Sequence, residues 1–275
     1  MFRRNLLPIV RPRPSDTEGL VYVEGVEENG EISAGKVRSP VTGDEYRMRY
    51  GYLDLLPRST GAHNVANLTN LLPGAGRGYE PLWRVRSLTL LTGERFPNGR
   101  EIEIISDLIH LQRGGLYLDL GCSGGLYARE MARALDERGA VIGVDISPSM
   151  LREAERRSRK TGSPVSLVRA DVHNLPFADA AFSGIVCGGT LNELGDPARA
   201  LREARRVLEP GGRLAIMGIL RATTARGQRI QRFLSGGGIR FFQREELHSL
   251  LDHAGFAPDP PQTYGPVVFA SATRR

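Results

Sequence analysis

From Leu116 onward, short apolar runs alternate with amphipathic stretches of helical period. "LYLDLG", "AVIGVD", "VSLVRAD", "FSGIVCGG" and "GRLAIMGIL" are near-continuous apolar runs. Between or after them lie "GLYAREMARALDERG", "SPSMLREAERRSRKTG", "DPARALREARRVL" and "QREELHSLLDHAG", and "PVVFASATR" closes the series. Strands that are apolar on both faces, separated by helices, predict a doubly wound, mostly parallel α/β sheet. Two helix starts are well marked: Ser147 before Pro148, and Asp196 before Pro197, each an N-cap followed by proline in the first turn.

The chain has 275 residues, enough for one large domain with an appendage. We expect a small β-rich module without metal over residues 1–60, a linker with packing helices over 61–112, and the main α/β domain over 113–275. In the module, "LVYVEGV", "EISAGKV" and "YRMRYGYLDLL" are β-type pieces separated by Glu28-Asn29-Gly30 and by Ser39-Pro40-Val41-Thr42-Gly43. Gly61 to Pro81 is polar and glycine-rich and reads as linker. "EPLWRVRSLTLLTG" and "GREIEIISDLIHLQRGG" carry helical spacing, the second with Ile102, Ile105, Leu108 and Ile109 on one face.

Composition narrows the function classes. Two cysteines, Cys122 and Cys187, form neither a disulfide scaffold nor a metal site. No apolar run has the ~18 residues of a membrane helix. The basic start "MFRRNLLPIVRPRP" has a short apolar stretch broken by Pro8, so a cytoplasmic protein is expected. The net charge of +6 comes almost wholly from arginine, with Lys36 and Lys160 as the only lysines. No run of five or six basic residues marks a nucleic-acid tail.

Gly121-Cys122-Ser123-Gly124-Gly125 fits two readings. As G-x-S-x-G it is a nucleophile elbow with Ser123 as the catalytic serine. That reading needs an acid and a histidine downstream. His173, His248 and His253 are available, but the last two sit in a helical pattern and no H-G-G-type loop precedes the serine. As a glycine loop between a strand and a helix, the same residues let a ligand approach the backbone at the helix N-terminus. Asp119 and Asp145 then end successive strands, and a carboxylate at the second position can bind a ribose diol. The dinucleotide pattern G-x-G-x-x-G fails, because Ser123 and Leu126 occupy glycine positions. A third acid, Asp171, ends the next strand, and Pro210-Gly211-Gly212 lies between a helix and a strand.

"LDLGCSGG", "VIGVDISPSML", "RADVHNLPFADAAFSGIVCGGTLNEL" and "EARRVLEPGGRLAI", in this order, resemble the class I S-adenosylmethionine-dependent methyltransferases of the small-molecule and quinone type. The resemblance covers the chain from about Leu116 to its end and departs from the family at Ser123, where glycine is usual. It implies a seven-stranded, Rossmann-like sheet and S-adenosyl-L-methionine as cofactor. It assigns Asp119, Gly121, Cys122, Ser123 and Gly125 to the methionine part, and Asp145, Ile146 and Met150 to the ribose and adenine side. Asp171 and Val172 would read the adenine edge, and Cys187 would end the strand facing the transferred methyl group.

For catalysis the chain offers Asn192, Glu193 and His173, and the sequence singles out none of them as general base. The family often carries a histidine near Asn192, which this chain lacks. The expected acceptor is a small aromatic or lipophilic molecule, with RNA base methylation, or cofactor binding without chemistry, as the alternatives. The oligomeric state is not encoded legibly. "GILRATTARGQRIQRFLSGGGIRFFQREEL" occupies the family's lid position, with Arg226, Arg229 and Arg232 as a basic stripe and Ile230, Phe233 and Leu234 on the other side. "SPVTGDEYRMRYGYLDLLP" resembles the zinc-ribbon module that precedes some methyltransferases, but with Ser39 and Thr42 where that module has cysteines, so no metal is expected.

Overall fold

The computed structural model describes residues 1–57 and 85–275. The linker expected from Gly61 to Pro81 lies outside the described residues. Among the described residues, thirteen strands form one sheet. The strands are β1 (Phe2–Arg3), β2 (Val21–Glu28), β3 (Glu31–Arg38), β4 (Glu45–Arg49), β5 (Tyr52–Asp54), β6 (Leu116–Leu120), β7 (Ala140–Asp145), β8 (Ser166–Arg169), β9 (Phe182–Gly188), β10 (Leu208–Ile219), β11 (Phe256–Pro258), β12 (Gln262–Tyr264) and β13 (Val267–Arg274). The helices are α1 (Val85–Thr92), α2 (Asn98–Leu108), α3 (Leu126–Ala134), α4 (Pro148–Thr161), α5 (Pro197–Val207), α6 (Ala225–Ser235) and α7 (Arg244–His253).

The centre of the sheet has the seven-strand order β8-β7-β6-β9-β10-β13-β11. Strands β8 through β10 are parallel, and β13 runs antiparallel to both neighbours. This is the doubly wound sheet that the strand–helix alternation predicts. Alternate side chains feed two cores. Leu118, Leu120, Ile142 and Val144 face one cluster with Leu201 and Ala204 of α5 and Leu247 and Leu251 of α7. Tyr117, Val141, Leu167 and Val186 face the other, with Ile105 of α2, Met131 of α3 and Leu151 of α4.

The N-terminal strands continue this sheet. Strand β5 pairs in parallel with β8, from Tyr52 opposite Leu167 to Asp54 opposite Arg169. Beyond β5 lie β4 and β3, and β1 and β2 both pair with β3. Phe2, Leu6, Ile32, Val37, Met48 and Leu53 bury their side chains in the same cluster as β6 and β7. "YRMRYGYLDLL" folds as a hairpin, because Tyr50 and Gly51 both take positive φ, 53° and 77°, and reverse the chain. At the turn where a zinc ribbon would carry cysteines, Ser39 Oγ donates to Asp16 Oδ1 at 2.8 Å and Thr42 Oγ1 donates to Asp44 Oδ2 at 2.7 Å.

The helix starts read from the sequence form as expected. Ser147 Oγ accepts from the N–H of Met150, and Asp196 Oδ1 accepts from that of Arg199. Pro210-Gly211-Gly212 differs: β10 already begins at Leu208, and the motif interrupts its pairing with β9 between Leu208 and Arg213. Gly211, at φ 78°, supplies the left-handed residue this interruption needs.

Candidate functional site

Parallel strands direct their carboxyl ends to one edge, and the loops leaving β6, β7, β8 and β9 meet there. The first loop is the most constrained. The N–H groups of Gly121 and Cys122 both donate to the Val144 carbonyl, at 2.9 and 2.8 Å. Gly121, Ser123 and Gly125 take positive φ, 74°, 49° and 73°, which coils the loop tightly into the start of α3. Gly121 is also sterically required, since a Cβ there would lie 2.2 Å from Thr190 Oγ1.

Asp119 is buried at the end of β6, and its Oδ2 accepts from the N–H of Ala128 at 3.0 Å, in the first turn of α3. Asp145 is half-buried at the end of β7. Its Oδ2 accepts from the N–H of Ser123 and its Oδ1 from that of Ser147, both at 2.8 Å. Burial raises the Asp145 carboxyl above the usual aspartate range, and the N–H groups of Ser147, Ser123 and Ile146 pull against that shift. Ile146 is half-buried beside it, and Met150 is buried with its sulfur 3.5 Å from Ser123 Oγ. Asp171 follows β8, where its Oδ1 accepts from the His173 backbone N–H at 2.9 Å and sits 2.8 Å from His173 Nδ1. Val172 is buried next to it.

Seven of the sequence-derived residues thus stand on three neighbouring loops: Gly121, Ser123, Gly125, Asp145, Ile146, Asp171 and Val172, with Asp119 below them. The two cysteines are packing residues. Cys122 turns its sulfur toward Gly143, where a Cβ would lie 3.0 Å away. Cys187 is buried at the end of β9. Desolvation raises both thiols, Cys187 to about 12, so neither is a thiolate near neutral pH.

The three catalytic candidates separate. The Asn192 amide is committed to backbone: Nδ2 donates to the carbonyls of Ile219 and Arg240, at 2.9 and 2.6 Å, and Oδ1 accepts from the Ile219 N–H at 2.9 Å. That side chain ties the end of β10 to the segment before α7. The His173 ring is held by Asp171, on the β8 side. Glu193 is half-buried in the turn after β9, and its carboxyl is raised to about 7, first by desolvation and then by the negative charge of Asp145. Among the described residues, Ser123 Oγ has Met150 Sδ as its partner and no histidine bonds to it. The elbow reading therefore lacks its base.

Five polar residues of this region, Glu101, Tyr127, Arg129, Arg169 and Asp54, escape the sequence reading. Glu101 of α2 is completely buried and accepts from Tyr127 Oη, whose ring covers Gly188 so closely that a Cβ there would lie 1.9 Å from it. Its signal was the position of an acid four residues before Ile105 on a core-facing helix. Arg129 is buried in α3 and donates to the Gly124 carbonyl. Arg169, buried at the end of β8, pairs with Asp54 Oδ1 of β5 at 3.0 Å and donates through Nε to the Ile146 carbonyl at 3.1 Å. Nothing local in the sequence announces this pair.

Residues 118–216 match the family model described as a methyltransferase domain. The chain is 39% identical over 113 residues to an uncharacterized 37.1 kDa transposon protein of Streptomyces fradiae, covering 41% of this chain and 32% of that one. It is 41% identical over 106 residues to the 2-phytyl-1,4-naphtoquinone methyltransferase of Nostoc punctiforme, covering 38% and 46%. It is 38% identical over 111 residues to the demethylmenaquinone methyltransferase of Lactiplantibacillus plantarum, covering 40% and 47%. The chain thus spans less than half the length of these three relatives. Among solved structures, the [4+2]-cyclase SpnF superposes with a TM-score of 0.56 at 23% identity, over 66% of this chain and 82% of that one. A SAM-dependent methyltransferase from Aquifex aeolicus gives 0.54 at 22% identity, over 63% and 88%. These two likenesses establish the fold. Residues 118–216 thus match a methyltransferase domain, and the chain carries the fold of these solved structures.

Proposed function

We propose that this chain transfers the methyl group of S-adenosylmethionine to a small, lipophilic, quinone-type acceptor. The observation that carries the reading is the set of carboxylates Asp119, Asp145 and Asp171 at the ends of three adjacent parallel strands, around a loop coiled by Gly121, Ser123 and Gly125. The donor set suits a nucleoside with a cationic amino-acid tail: acids for an ammonium and a diol, and small residues where the ligand meets backbone. Relatives named as naphthoquinone and demethylmenaquinone methyltransferases support the acceptor class.

In this reading Asp119 faces the ammonium end, Asp145 takes the ribose hydroxyls, Ile146 packs on the adenine, and Asp171 with Val172 reads its edge. Met150 backs the Ser123 turn. The cofactor, when bound, supplies a methyl group already activated on a sulfonium. The chain's own work is to hold the acceptor in line and exclude water. Glu193, with a carboxyl titrating at about 7, is the group to accept the acceptor's proton, since a base is most effective when its pKa is near the working pH. The N-terminal module, residues 1–60, serves as a side wall on the β8 edge of the catalytic domain at 113–275, with 61–112 joining them. A cytoplasmic setting goes with this reading; among the described residues no helix is long and apolar enough to cross a membrane.

Incubation with methyl-labelled cofactor and a reduced naphthoquinone tests the proposal. Label in the naphthol product is the expected result. Label in added RNA, or tight cofactor binding with no transfer to any acceptor, would replace it with one of the two alternatives.

A further inference from the structure

We propose that α6 is a membrane-surface element that docks on an anionic lipid bilayer. A helix on a globular protein ordinarily turns its apolar stripe inward. Helix α6 does the reverse. Its glutamines fasten it to the chain: Gln231 Oε1 accepts from the Ala222 N–H at 2.8 Å, Gln231 Nε2 donates to the Leu220 carbonyl at 2.9 Å, and Gln228 Nε2 donates to the Ala222 carbonyl at 3.1 Å. That side lines a groove of about 790 Å³, shared with Arg221, Arg232, Arg240 and Glu246. The opposite side, Ile230, Phe233 and Leu234 at i, i+3 and i+4, faces solvent. Those side chains are 53%, 83% and 36% exposed. The apolar side that the sequence sets opposite the basic stripe thus lies in solvent, as Arg229 and Arg232 do.

Charge selects the partner. Residues 221–244 contain six arginines, Arg221, Arg226, Arg229, Arg232, Arg240 and Arg244, and no aspartate or glutamate. Arg240 pairs with Glu246, whose charge Arg221 also meets, while Arg229 and Arg232 make no ion pair among the described residues. An outward apolar ridge flanked by Arg229, on a segment with six arginines and no acid, matches a bilayer interface, where acyl chains take Phe233 and headgroup phosphates take the guanidiniums. RNA would satisfy the cations but leave Ile230 and Leu234 wet. A second copy docking isologously through this helix would bring like charges together. The inference rests on the proposed activity for its purpose, since a lipophilic acceptor resides in such a bilayer, but its test is separate.

The test is co-sedimentation of the full chain with phosphatidylcholine vesicles, with and without phosphatidylglycerol. Cofactor affinity is measured in parallel by calorimetry. Partition into the anionic vesicles is expected, weakening with salt. Phe233→Asp should lower it about tenfold, Arg229→Glu with Arg232→Glu should remove its salt dependence, and cofactor affinity should be unchanged in both variants. The proposal is overturned by equal partition of wild type and Phe233→Asp, by partition indifferent to phosphatidylglycerol, or by RNA binding without vesicle binding. It is also overturned if Phe233→Asp instead splits a solution dimer. Vesicle binding by a chain that ignores the cofactor would leave the surface standing and end the methyl-transfer reading; cofactor binding without vesicle binding would do the opposite.

Discussion

The backbone N–H of Ser123 donates to Oδ2 of Asp145 at 2.8 Å, across two strands of the sheet. The other oxygen of the same carboxylate takes the N–H of Ser147. One side chain therefore shapes the loop after β6, fixes the start of α4, and presents its remaining lone pairs to the strand edge. Asp145→Ala should weaken cofactor binding by at least about tenfold and cost roughly 2 kcal/mol of stability, because two buried N–H groups lose their acceptor. Calorimetry and urea denaturation read the two effects separately.

Ser123 stands in the left-handed region at φ 49°, a conformation costing a non-glycine residue about 1 kcal/mol. Its bond to Asp145 is made by the backbone and survives substitution by glycine. Ser123→Gly should keep cofactor affinity within about threefold and leave thermal stability equal or slightly higher. Ser123→Leu should abolish cofactor binding by filling the loop's approach. Loss of turnover in Ser123→Gly with the cofactor still bound would return the serine to the role of nucleophile.

Arg169 and Asp54 form a buried ion pair between β8 and β5, with Arg49 on the other carboxylate oxygen at 2.7 Å. Removing one partner strands the other charge, so Asp54→Ala should cost on the order of 3–5 kcal/mol. Arg169 Nε also holds the Ile146 carbonyl, so cofactor affinity should fall with it. An Asp54→Ala chain with unchanged melting and unchanged affinity would show that the N-terminal strands do not support the site.

Glu193 carries a folded-state pKa of about 7 against an ordinary value of 4.5. The folded chain holds its proton longer than the unfolded chain, so wild type loses stability as pH rises from about 4.5 to 7 and keeps that penalty above. Glu193→Gln should therefore melt higher than wild type at pH 8, by on the order of 2–3 kcal/mol, and equal it at pH 4. If Glu193 accepts the acceptor's proton, kcat/KM rises through pH 7 in wild type and that limb is absent in the variant. A wild-type limb near 7 that persists in Glu193→Gln would assign the base elsewhere.

The sheet and the acid-bearing edge of its strands were legible because their signals are local. Apolar runs, Ser147-Pro148, Asp196-Pro197 and the acids ending successive strands each lie within a few residues of the feature they mark. What was hidden depends on distant pairing. Strand β5 reaches β8 across more than a hundred residues, so residues 1–60 read as a small β-rich module, while strands β1 to β5 within it continue the main sheet. The commitment of Asn192 to Ile219 and Arg240 was hidden for the same reason. The orientation of α6 eluded its own amphipathic pattern, because Gln228 and Gln231 hold the polar face against the chain.

Calorimetric titration of the full chain with S-adenosylmethionine, beside Asp145→Ala and beside a titration with NAD, tests the central claim most directly. The expected result is one saturable site for S-adenosylmethionine in wild type, weakened at least about tenfold in Asp145→Ala, with no heat from NAD. Tight NAD binding with no response to S-adenosylmethionine would contradict it.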